Sequence, residues 1–187
     1  MKKRISLFFL ILSAFLCGGF HGAVYVKADD KPKPLEEFYP EFGYTTAEEA
    51  IQEFESHFDQ DVQLPLRIPP IPFTHYMGKF SDLEGDINDS LELMFINEDS
   101  PENHYKVEVR LIEAKLEVPE RYIVKKVQLN NGDEAIYMQI HGAAYGLVFE
   151  KGNWQYILSV DRRVSDRVTD EVLVQIAESI DYVGDGG

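Results

Sequence analysis

Apolar residues recur at helical spacing in only two stretches of this chain, and between them the period drops to two. In the first stretch Ala47, Ala50, Ile51, Phe54 and Phe58 share one side while Glu53 and Glu55 turn outward, which predicts an amphipathic helix ending near Phe58. Thr45 and Thr46 each stand three residues before a glutamate, Glu48 and Glu49, as a capping box requires. The second stretch starts at Thr169, with Asp170 and Glu171 suited to the positive end of a helix dipole. Its buried stripe is Val172, Leu173, Ile176, Ala177 and Ile180.

The alternating segments read as strands. Leu91, Leu93 and Phe95 form one set, and Tyr105, Val107, Val109 and Leu111 another. Residues 122–129 face 134–141 in a hairpin that Asn131-Gly132 would close as a type I′ turn. That register puts Ile123, Val127 and Leu129 on the face of Ile136, Met138 and Ile140, and leaves Lys126, Gln128, Tyr137, Gln139 and His141 on the other. A second hairpin, 145–150 with 153–160 around Lys151-Gly152, sets Tyr145, Leu147 and Phe149 beside Trp154, Tyr156 and Leu158. The expected fold is α+β: an antiparallel sheet of about six strands covered by two helices, in one domain spanning 45–183 with a disordered tail at 184–187.

Charge changes the picture at the N-terminus. Lys2, Lys3 and Arg4 precede a span without charge from Ile5 to Val26, and small residues lead up to Ala28, the pattern of a signal peptide cleaved after residue 28. The alternatives are an uncleaved anchor on the extracellular side, since the span exceeds the roughly 18 residues that cross a bilayer, and lipidation at Cys17. With cleavage the mature chain is secreted and holds no cysteine, which excludes disulfides, thiolate metal sites and a cysteine nucleophile. Losing the leader's four cations and no acid takes the formal charge from −15 to −19. Nucleic acid and anionic surfaces are poor partners for such a chain. Residues 29–44, with Lys31-Pro32-Lys33-Pro34, read as a spacer, although Phe38, Tyr39, Phe42 and Tyr44 predict that its second half docks on the domain.

Several motifs together carry a likeness. Leu64-Pro65-Leu66-Arg67-Ile68-Pro69-Pro70-Ile71-Pro72, then Asn131-Gly132-Asp133-Glu134-Ala135-Ile136-Tyr137, Leu147-Val148-Phe149-Glu150-Lys151-Gly152-Asn153-Trp154-Gln155-Tyr156 and the helix end Ile176-Ala177-Glu178-Ser179-Ile180 follow in order. Over residues 63–180 this resembles the uncharacterised extracytoplasmic domains of Gram-positive anti-sigma-like and sporulation-associated membrane proteins. The resemblance implies an extracellular Gram-positive setting and a non-enzymatic module that binds a protein, a peptide or a cell-wall ligand. It implies no reaction.

Two groups of residues are candidates for chemistry. Tyr137, Gln139 and His141, with Tyr76 nearby, would offer stacking and hydrogen bonding to a ligand, unless a helix covers that face. Ser81-Asp82-Leu83-Glu84-Gly85-Asp86-Ile87-Asn88-Asp89 brings the carboxylates Asp82, Glu84, Asp86 and Asp89 together as a weak calcium candidate, against the simpler reading of a solvated acidic loop. The spacing is not that of an EF-hand. His57, His75, His104 and His141 have no metal-ligand spacing, and neither G-x-S-x-G nor a phosphate-binding glycine loop occurs. The alternative function is an extracellular hydrolase built on carboxylates.

Overall fold

Helix α2 (Ala47–Phe58) begins where the capping pattern placed it: Thr46 Oγ1 accepts from Glu49 N, and the Glu49 carboxylate accepts from Thr46 N, both at 3.2 Å. Of the two threonines, Thr46 is the cap. Thr45 is free to bridge Gly78 instead, with hydrogen bonds of 2.8 and 3.1 Å that tie the helix start to the sheet. The computed structural model describes residues 33–83 and 89–181. The expected leader, the first spacer residues, Glu84, Asp86 and the tail lie outside the described residues. Among the described residues no helix is long and apolar enough to cross a membrane.

Helices α1 (Leu35–Phe38) and α3 (Asp170–Glu178) complete the helical elements, together with short 3-10 turns. The strands are β1 (His75–Ser81), β2 (Ser90–Ile96), β3 (His104–Leu111), β4 (Ile123–Gln128), β5 (Glu134–Ile140), β6 (Ala144–Lys151) and β7 (Trp154–Asp161). They form one antiparallel sheet in the order β1-β2-β3-β7-β6-β5-β4, so the α+β class holds with seven strands rather than six. The added strand is β1. Two meanders meet at the β3/β7 pair, and the chain between β3 and β4, residues 112–122, must cross to the far edge.

One face of the sheet is the core. Leu91, Leu93, Val107, Val109, Leu147, Leu158 and Tyr156 pack beneath Phe54 of α2 and Leu173 and Ile176 of α3, all buried. The proline-rich segment runs along the same face: Trp154 Nε1 donates to Asp61 O at 3.3 Å, Tyr156 Oη donates to Gln63 O at 2.8 Å, and Arg67 N donates to Ser179 Oγ at 3.1 Å. Ile71 is buried there, while Leu66 and Ile68 point to solvent.

The opposite face is covered by irregular chain. Leu35, Tyr39 and Tyr44 dock on Met77, Met94 and Ile96, so the second half of the spacer belongs to the domain. Residues 112–122 cover the other end as a strap. Gln155 clips the strap down: its carboxamide accepts from Leu116 N at 2.8 Å and donates to Leu116 O at 3.0 Å, which satisfies a side chain only 2% exposed.

The first hairpin differs from the expected register. Leu129 N donates to Asp133 O and Gly132 N to Leu129 O, both at 2.9 Å, which makes a three-residue loop with Gly132 at φ +90° and Asn131 outside the positive region. This is a type I turn with a glycine bulge, not a type I′ turn. The one-residue slip changes which side chains share a face from Gln128 back to Lys125, beyond which a bulge sets Ile123 opposite Met138 as expected. Val127 pairs with Ala135 and Lys126 with Ile136, so Val127 lies on the core face with Ala135 and Tyr137, whereas Ile136 and Met138 lie on the opposite face beneath the strap. The two consecutive positive φ values of a I′ turn occur instead at His141 (+45°) and Gly142 (+72°), between β5 and β6.

Candidate functional site

The strap and the sheet enclose an apolar groove of about 290 Å³. Leu116 and Val118 of the strap form its roof, and Met138, Ile140, Val148 and Ile157 of β5, β6 and β7 form its floor. The register slip creates this floor by turning Met138 and Ile140 away from the helices. Tyr122 and His141 stand at the mouth, their rings 5.2 Å apart and edge-on, with Tyr122 Oη 3.4 Å from His141 Nδ1. Arg121 lies over the outer face of the Tyr122 ring at 4.7 Å. The groove is apolar within and polar at one end.

Beyond the strap's other side a larger opening of about 750 Å³ is lined by Lys115, Glu117, Asp133, Glu134 and Glu150 around Ile136. Two of these carboxylates are paired: Glu150 meets Lys115 at 2.9 Å, and Glu134 meets Lys126 at 2.7 Å.

Between the strap and the docked N-terminal segment runs a ladder of charges. Lys106 bridges Glu92 at 2.8 Å and Glu108 at 3.4 Å, Tyr44 Oη donates to Glu92, and Arg110 donates to Glu108. Burial pushes the Glu92 carboxyl up, but hydrogen bonds from Lys106 and Tyr44 and the charges of Lys106 and Lys79 outweigh it and leave the group below its ordinary value. Burial and the Glu92 contact push the Tyr44 phenol far above its usual range. This ladder holds the N-terminal segment in place.

The four expected ligand residues separate. Gln139 and His141 are among the residues that line the groove. Tyr137 is 7% exposed on the core face, stacked on Tyr145 at 5.4 Å and 9°, and burial with the nearby Asp170 pushes its phenol up to about 12. Tyr76, 45% exposed and stacked on Phe95 at 4.3 Å, is on β1, five strand positions from β5 and therefore roughly 24 Å away. The groove's apolar floor escaped the sequence reading, although alternation of Ile136, Met138 and Ile140 was its signal.

The acidic candidates fare differently. Asp82 is exposed at the end of β1, but Asp89 is buried at 1% exposure. Its Oδ1 accepts from Leu83 N at 2.7 Å, and its Oδ2 lies 3.0 Å from His57 Nε2 of α2. The site brings a histidine to two of the four carboxylates. No known protein family matches the chain, and no curated protein or solved structure matches it either.

Proposed function

We propose that the protein is a secreted, extracytoplasmic and non-enzymatic binding module that takes an apolar group of a protein, peptide or cell-wall ligand into the groove beneath the strap. The observation that carries this reading is the groove itself: six apolar side chains around about 290 Å³, with Tyr122 and His141 placed to bind a polar end. The leader pattern and the likeness to Gram-positive extracytoplasmic domains supply the setting.

The carboxylate hydrolase gains no comparable support. The described carboxyl groups with a displaced titration, Glu36, Glu92, Asp161 and Glu171, are all held low, mostly by cationic or hydroxyl partners. A general acid needs the opposite displacement.

The test is a fluorescence titration of the purified protein with N-phenyl-1-naphthylamine, an apolar probe. Saturable one-site binding is expected, weakened at least tenfold by Leu116→Asp, which sets a carboxylate at an exposed position on the groove roof. Equal binding by the variant, with an unchanged melting temperature, would refute the groove. Fractionation tests the setting: the mature chain should appear in the medium or wall with Asp29 first, and retention of the full chain in the membrane fraction would contradict release.

A further inference from the structure

We propose that His57, Asp82 and Asp89 form a binding site for a first-row transition-metal dication, zinc foremost. The three come from separate places: His57 from the last turn of α2, Asp82 from just beyond β1, Asp89 from just before β2. Their ligand atoms all lie within 4.8 Å of one another.

Asp89 is the anchor. Its carboxylate is inaccessible to solvent, and a buried carboxylate is strongly disfavoured unless both oxygens find partners. Oδ1 is satisfied by the Leu83 N–H. Oδ2 is not: His57 Nε2 is 3.0 Å away, yet the ring N–H is angled off the oxygen, which accepts no hydrogen bond. An orphaned buried acceptor calls for a missing partner. Bonds of about 2.1 Å at a tetrahedral angle place two donor atoms about 3.4 Å apart, so His57 Nε2 and Asp89 Oδ2, 3.0 Å apart, need to separate by only about 0.4 Å to share one ion. Asp82, exposed and free to change rotamer, can supply the third bond.

The histidine ring is held for this task. It packs edge-on to Phe58 at 4.6 Å and against Phe80 at 5.1 Å, while the side chain stays 27% exposed and reachable from solvent. The donor set selects the metal. Calcium and magnesium take oxygen ligands, whereas one imidazole with two carboxylates suits zinc and its neighbours and leaves a coordination position for water. The proposed ion differs from the calcium expected from the sequence, and two of the same aspartates would hold it.

Isothermal titration of the metal-free protein with Zn2+ should show one equivalent bound at least 100-fold more tightly than Ca2+. His57→Gln and Asp82→Asn, both partly or fully exposed, should each weaken Zn2+ at least tenfold without shifting the metal-free melting temperature by more than a few degrees. Co2+ should give visible d–d absorption that His57→Gln removes. Three results would each overturn the site: no Zn2+ binding, Zn2+ affinity unchanged in both variants, or Ca2+ binding as strong as Zn2+ and indifferent to His57→Gln. Any of them would leave His57 and Asp89 as a structural ion pair.

Discussion

Replacing Gly78 with alanine should destabilise the domain, and the sign of the effect is diagnostic. A Cβ built at Gly78 would meet Ala50 Cβ at 2.7 Å, Ala47 Cα at 2.9 Å and Thr46 O at 3.2 Å, all on α2 or its cap. Ordinary contacts lie near 3.4–4 Å, so the helix and β1 would have to part by roughly 1 Å. Neither side yields easily, because the capping box fixes the helix start and Thr45 bonds to Gly78 through both backbone groups. Overpacking of this kind costs about 1–3 kcal/mol. Gly78 does not have a positive φ, so alanine brings no backbone strain. Without the clash the substitution would stabilise by about 0.4–1 kcal/mol through the unfolded chain. Urea unfolding compared at constant slope decides between them. A net loss of about 2 kcal/mol, or roughly 4–8 °C in melting temperature, is expected for a domain of this size. A raised or unchanged midpoint would show that α2 does not sit against β1 as described.

Gly132→Val should cost about 1–2 kcal/mol from its positive φ alone, since a Cβ there meets nothing within 4 Å. Asn131→Ala should cost less, because it removes only two exposed hydrogen bonds, from Asp133 N to Asn131 Oδ1 and from Asn131 Nδ2 to Asp133 Oδ2; a larger loss at Asn131 in urea unfolding would argue for a type I′ turn after all. Burial, reinforced by Lys106 and opposed by Asp161 and Glu92, pulls the His104 imidazole below its ordinary value. A base whose folded value is depressed binds fewer protons in the folded state, so this part of the stability is present above about pH 6.5 and is lost as pH falls through the folded value. His104→Gln should flatten melting temperature against pH just below 6.5, and an unaltered profile would refute the assignment.

Local signals carried much of the fold. The capping box at Thr46, the N-cap Thr169 and the alternation in β2, β3 and β5 to β7 depend on neighbours in sequence, and these elements stand where the pattern placed them. Strand β1 lacked alternation because both its faces are covered, Gly78 by α2 and Met77 by the N-terminal segment. The β4–β5 register was ambiguous locally: Leu129-Asn130-Asn131-Gly132-Asp133 accommodates a two- or a three-residue loop. Tertiary packing decided it, by burying Tyr137 against Tyr145 on the helical face. Sheet order separated Tyr76 from Tyr137, since the crossover after β3 sends β4 to the far edge. Nothing near His57 in sequence announces Asp89, because their meeting depends on how α2 docks on the β1–β2 pair.

The groove beneath the strap is tested most directly by methyl NMR of the purified protein during titration with N-phenyl-1-naphthylamine. Saturable shifts are expected at Met138, Ile140 and Ile157 on the groove floor, with Leu173 and Ile176 of the helical face unmoved. Shifts confined to the helical face or to Met77 and Met94, or none that saturate, would contradict a ligand site between the strap and the sheet.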